Sequence, residues 1–180
     1  MKTMIRSGRT GLWFACFTIP LLGVSCGSRS FNVQQRPSAP FKTFGQVVVE
    51  PFTVDGVEKL GLVEKTKALD AAAKMTQYLK ERLEGTNWFK GGGQALTIKG
   101  LVVGFDPGSQ AMRYWVGFGA GTGEIIVDTT FSNTSGNLVA RGNSRGSVSG
   151  GWFGGSTSSA CDRVAKAIMD FIKANHEKLE

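Results

Sequence analysis

The sequence predicts an α+β domain: a mainly antiparallel sheet with two helices packed on one of its faces. Three observations predict it. Residues 62–84, and the stretch from Ser159 onward, carry apolar side chains at three- and four-residue steps, which is the helical period. Residues 47–54, 95–105 and 123–132 are rich in β-branched and apolar side chains, and 138–148 returns as a weaker strand after the turn at Ser135-Gly136. The order of strand, helix, several hairpin-linked strands and helix leaves the helices one face of the sheet to cover.

Ahead of that domain, Lys2, Arg6 and Arg9 make a basic start, and no acidic residue occurs before Glu50. The apolar run 11–24 is shorter than the roughly 20 residues a membrane-spanning helix needs and contains Pro20. A basic stretch, a short apolar core and small residues beyond it describe a secretory signal peptide over residues 1–25. The run ends in Leu22-Gly23-Val24-Ser25-Cys26-Gly27, which resembles the lipobox of bacterial lipoproteins. That resemblance implies cleavage after Ser25 and lipidation of Cys26, which becomes the N-terminus. It also implies the outer membrane, on its periplasmic side, since Gly27 is not the Asp that retains such lipoproteins in the inner membrane. Gly23 stands where the box has Leu, so ordinary cleavage after Ser25, giving a soluble periplasmic or secreted domain, is the alternative.

Of the three cysteines, Cys16 leaves with the signal and Cys26 carries lipid, so only Cys161 remains and no internal disulfide is expected. The net charge of +7 includes Lys2, Arg6 and Arg9; without them 18 basic residues face 14 acidic ones, a balance of +4. No basic run interleaved with aromatics points to nucleic acid. Residues 26–43, with Pro37 and Pro40 and no periodic apolar face, read as a flexible tether that holds a single domain over 44–180 some tens of ångströms from the membrane, at roughly 3 Å per residue.

Within the domain, 47–54 is the first strand, and Pro51 puts it at an edge or a bulge. The helix 62–84 presents Leu69, Ala72, Ala73, Thr76, Leu79 and Leu83 on one side, and Gly85 closes it. The strand 95–105 ends at the turn Asp106-Pro107-Gly108-Ser109. Strands are expected at 112–119 and 123–132, then a turn at Ser135-Gly136 and a weaker strand over 138–148. Ser159-Ala160-Cys161-Asp162 reads as the capping box of the last helix, which buries Ala160, Val164, Ala167, Ile168 and Phe171, with Cys161 a small buried hydrophobe beside that stripe.

Glycine is concentrated: 17 of 25 fall between Gly91 and Gly155. They cluster at Gly117-Phe118-Gly119-Ala120-Gly121-Thr122-Gly123 and at Gly150-Gly151-Trp152-Phe153-Gly154-Gly155. The first cluster does not have the dinucleotide-loop spacing. Its small-xxx-small pairs lie in an uncharged stretch too short to span a membrane as a helix. Period-two glycines on a strand, letting a backbone or an aromatic ring lie against it, are the preferred reading. The alternative is a partner-binding surface made of Gly117, Phe118, Gly119, Gly121, Trp152 and Phe153.

Asp106 to Tyr114, the following Val116-Gly117-Phe118-Gly119-Ala120-Gly121, and Gly154-Gly155-Ser156 before the final helix together resemble the uncharacterised bacterial family DUF4410, over roughly residues 44–173. Membership implies a lipoprotein and brings no activity with it. The strand-helix-strand opening behind a lipid anchor also resembles envelope lipoproteins such as the curli secretion lipoprotein, so a pore-forming or secretion-type oligomer is a further alternative.

The residue inventory favours a non-catalytic envelope lipoprotein, with a structural or protein-binding role, over an enzyme. His176 is the only histidine and lies 15 residues from Cys161, about 22 Å along a continuous helix. No metal cluster and no cofactor motif is expected. A hydrolase built on carboxylates is the alternative, with Glu50, Asp106, Glu124 and Asp128 as candidates.

Overall fold

The structure is a computed structural model that describes residues 27–106, 122–149 and 156–176. Among these residues the elements run β1 (Arg29–Gln35), a 3-10 turn (Phe41–Thr43), β2 (Gln46–Val49), β3 (Thr53–Val54), a second 3-10 turn (Val57–Lys59), α1 (Leu62–Glu84), β4 (Ala95–Asp106), β5 (Thr122–Ser132), β6 (Leu138–Ser149) and α2 (Thr157–His176). The strands form one sheet in the order β1-β6-β5-β4-β2, with β3 also on β4. The pairs β1–β6, β6–β5 and β5–β4 are antiparallel. Both helices pack on the same face and on each other, so the α+β expectation holds.

Burial explains that layering. Ile125, Val127, Thr129 and Phe131 of β5 alternate inward, as do Ala140, Gly142, Ser144, Gly146 and Val148 of β6. Two of those inward positions have no side chain because something else occupies the space. A β-carbon on Gly146 would sit 2.4 Å from the carbonyl oxygen of Ala160 on α2, and one on Gly142 would sit 2.3 Å from the ring of Phe31. Close approach through a glycine strip is thus found on β6.

The helices differ from expectation in their contact faces. α1 buries Ala68, Ala71, Ala72, Met75, Thr76, Leu79 and Leu83, while Leu69 and Ala73 are exposed. The stripe is turned toward the alanines because α1 touches α2 as well as the sheet, and small side chains let two helices approach. Thr76 is buried because its hydroxyl accepts the N–H of Phe52 at 2.9 Å. α2 starts at Thr157, two residues before the expected cap. Ser156 caps it, accepting the Ser159 N–H on its Oγ. Asp162 instead meets Arg82 and Lys166.

Pro51 does interrupt an edge: β2 pairs in parallel with Ala95–Ile98, the ladder resumes at Thr53 and Val54 opposite Leu101 and Val102, and Pro51 lies between. The tether expected over 26–43 is not one. β1 lies in register along β6 from Arg29↔Gly146 to Gln35↔Arg141, Ser38 N–H donates to the Val139 carbonyl at 3.0 Å, and Phe41 is fully buried. The reason is aromatic packing. Phe31 stacks on Phe171 at 4.2 Å, and Phe41 lies 5.3 Å from Phe131 and 5.8 Å from Phe171.

Candidate functional site

The candidates Ser25, Cys26, Gly117, Phe118, Gly119, Gly121, Trp152 and Phe153 lie outside the described residues, as do the signal segment 1–25 and the expected strand 112–119. The described residues nevertheless fix where the chain leaves for each of these segments and where it returns. Asp106 pairs with Glu124, Thr122 pairs with Ser149, and Ser147 N–H donates to the carbonyl of Ser28 at 2.9 Å. All of these positions lie at one end of the sheet. Ser156, which opens α2, lies beside Gly146 through Ala160 at the same end. Three stretches that the sequence marks as unusual are therefore attached to a single end of the domain.

The face of the sheet away from the helices is polar and internally matched. Asp128 on β5 accepts from Arg141 at 3.0 Å and from Asn143, both on β6, and Asn143 Oδ1 accepts from Gln34 of β1 at 2.6 Å. Four residues along β5 toward the end that carries Ser28, Glu124 meets Arg145 at 3.2 Å with its side chain only 11% exposed. Lys99 on β4 pairs with Glu50 at 3.1 Å. Cross-strand pairs of this kind contribute modestly to stability and fix which strands are neighbours. Gln34, Arg141, Asn143 and Arg145 did not stand out in the sequence. Their only signal is alternation with inward residues, which becomes visible once β1 and β6 are known to pair.

The carboxylates considered for hydrolysis do not converge. Glu124 and Asp128 are four residues apart on one strand, about 13 Å, and each faces an arginine. Glu50 is on the far edge with Lys99. The side chain of Asp106 lies outside the described set. His176 is held between Trp88 and Phe89, with ring centroids at 5.5 and 5.6 Å, and its Nε2 is 3.1 Å from the Trp88 carbonyl oxygen. It pins the loop after α1 to the end of α2. Cys161 is fully buried with Sγ 3.6 Å from the Ala71 carbonyl oxygen, and burial pushes its thiol up to about 12 against a partial lowering by Lys74. Burial alone would raise the carboxyl of Asp162, but hydrogen bonds and charge from Lys166 and Arg82 hold it below the usual range. Among the described residues no three His, Cys, Asp or Glu side chains could hold a metal, and no helix is long and apolar enough to cross a membrane.

The sheet has two edges among the described strands, β1 and β2. Beside β2 an open cleft is lined by Val47, Val49, Lys80, Leu83, Phe89 and Lys90, and Val48 projects 47% exposed. An edge strand beside an open, mixed apolar and charged cleft is a surface on which a further strand can be laid.

In sequence, the profile of the family described as a domain of unknown function (DUF4410) matches residues 47–151. No curated protein matches the chain. In structure, the chain is similar to the PelC dodecamer from Paraburkholderia phytofirmans in two crystal forms. In the C2 form a PelC variant is 13% identical with a TM-score of 0.45, over 85% of this chain and 100% of that one. In the P6 form the values are 15% and 0.39, over 79% of this chain and 96% of that one.

Proposed function

The chain belongs to the DUF4410 family, and we propose that it is a lipid-anchored envelope lipoprotein with a non-catalytic, protein-binding role. The observation that carries the reading is the order of residues 1–27: a basic start, a short apolar core, and Leu22-Gly23-Val24-Ser25-Cys26-Gly27 at its end. Ser28, two residues after that cysteine, is bonded to Ser147 of the sheet. Cys161 supports it from the other side: the remaining cysteine of a mature chain is sealed in the core, leaving Cys26 as the reactive one. The outer membrane, facing the periplasm, is the proposed location. The partner is proposed to be a protein, or a second copy, met through the open β2 edge or the glycine-aromatic segments around Phe118 and Trp152.

The anchor is tested by Cys26→Ser. The wild-type protein should enter the detergent phase of a Triton X-114 partition and incorporate an alkynyl palmitate. The variant should remain unprocessed and take up no label. A wild-type mature protein that stays in the aqueous phase, unlabelled and with a free Cys26 thiol, would leave a secreted domain instead.

A further inference from the structure

Because residues 29–35 are a strand of the sheet, a lipid on Cys26 has no tether behind it. Consecutive Cα atoms are 3.8 Å apart, so Cys26 lies within one such step of Gly27. Ser28 is fixed to β6 twice, by the Ser147 N–H donating to its carbonyl at 2.9 Å and by the two hydroxyls at 2.8 Å. Acyl chains at Cys26 would bring the bilayer surface to this end of the sheet.

What else lies at that end can be read across the strands. Arg29 is opposite Gly146, Gly146 opposite Ile125, and Ile125 opposite Phe105. Phe105 and Leu60 line one small pocket together with Val54, Asp55 and residues 102–104. Leu60 leads through Gly61 into α1, whose other end lies beside β2 at the opposite end of the sheet. The first turn of α1 therefore lies at the anchored end, some three to four strand spacings from Ser28, or about 15–20 Å at 4.8 Å each.

That first turn is the most exposed apolar surface described. Leu62 is 82% exposed and Val63 is 60% exposed, and Lys59 and Lys65 flank them, with Glu58 and Glu64 in the same stretch. Neither apolar side chain contributes to the core, and a helix normally opens with polar residues in water. Beside a bilayer the same residues are well placed: the apolar tips leave water at the headgroup boundary while the lysines stay among the phosphates.

We propose that the end of the sheet carrying Ser28 and the first turn of α1 rests on the bilayer, with Leu62 and Val63 inserted at headgroup depth as a second contact beside the lipid. This rests on the lipid anchoring at Cys26 proposed above. It replaces a domain held tens of ångströms away by one with a fixed orientation, its β5–β6 turn at Ser135 pointing away from the membrane at the far end of strands eleven and twelve residues long.

The experiment uses the full lipidated chain in vesicles of phosphatidylethanolamine and phosphatidylglycerol, with an NBD fluorophore at Leu62→Cys, at Val63→Cys or at Ser135→Cys. These sites are exposed, and Cys161 is sealed, so labelling is selective. Headgroup-proximal spin-labelled lipid should quench the probe at 62 or 63 at least two-fold more than the probe at 135. Triton X-114 partitioning of the same samples reports the anchor separately. Anchored protein in which all three probes are quenched alike overturns this inference and leaves the anchor standing, whereas protein in the aqueous phase overturns both.

Discussion

Cys161 sits under α1 with no exposed surface, and its thiol is pushed up to about 12 by burial. The unfolded chain ionises this group near 9.0. Below that pH both states keep the proton. Above it the unfolded state loses its proton first, so the thiol's contribution to stability declines with rising pH until the folded thiol ionises as well, by up to about 1.4 kcal/mol per pH unit. Cys161→Ala should cost about 1–3 kcal/mol at pH 8, as for a small volume loss in a core. By pH 10.5 the gap between wild type and variant should narrow by on the order of 1–2 kcal/mol. Urea melts of both proteins at the two pH values measure this. The native thiol should also react with Ellman's reagent far more slowly than in guanidinium; fast native labelling would place the sulfur at the surface.

At the level of elements, β1 is the piece whose presence changes most. It is polar and exposed along most of its length, and Phe31 is the side chain that ties it down. The ring lies on Phe171 at 4.2 Å, 6.2 Å from Phe131, in the space that Gly142 leaves open. Phe31→Ala should therefore cost about 2–4 kcal/mol and lower the melting temperature. It should also raise hydrogen exchange along residues 29–35 and 141–146 more than in α1. If exchange stays protected there, the strand is held by its backbone ladder and not by the aromatic cluster. This element also shows where sequence reading stopped. α1 was legible to its end residues because 23 positions keep one period, β4 and β5 because apolar, β-branched runs meet turn residues, and β6 more weakly, as the strand returning from the Ser135-Gly136 turn. In β1 only Phe31 and Val33 alternate with polar residues, and Val33, on the same helix-side face, stays 42% exposed beside Phe171 and Asn175, so a single packed aromatic was nearly the whole signal. The cap of α2 was misplaced for a related reason. Serines at 156, 158 and 159 compete on local grounds, and the choice is made by the tertiary pairing of Asp162 with Arg82. The cross-strand pairs of the outer face depend on register, which no single segment specifies.

For the whole molecule, the proposed anchor would make the sheet a bar between a membrane end at Ser28 and a free end at the Ser135 turn. A flexible anchor would let the domain sample all orientations, and a partner would then meet any face. In the proposed lipoprotein the lipid on Cys26 is two residues from Ser28, which is hydrogen-bonded to β6, so the bar would be held near its membrane end and partners approaching from the periplasm would meet the Ser135 turn first. Inserting a 20-residue Gly/Ser linker between Gly27 and Ser28 separates the two properties. It leaves the lipid and β1 intact but gives the domain a root-mean-square reach of about 25 Å from the anchor. The inserted variant should stay fully in the detergent phase and keep its melting temperature. Its NBD signal at position 62 should be quenched less by spin-labelled lipid than in the parent, because two exposed apolar side chains hold a freed domain to a membrane only weakly. Quenching that survives the insertion unchanged would mean that Leu62 and Val63 bind the bilayer strongly on their own. Orientation would then be set by the first turn of α1 and not by the short connection to the lipid.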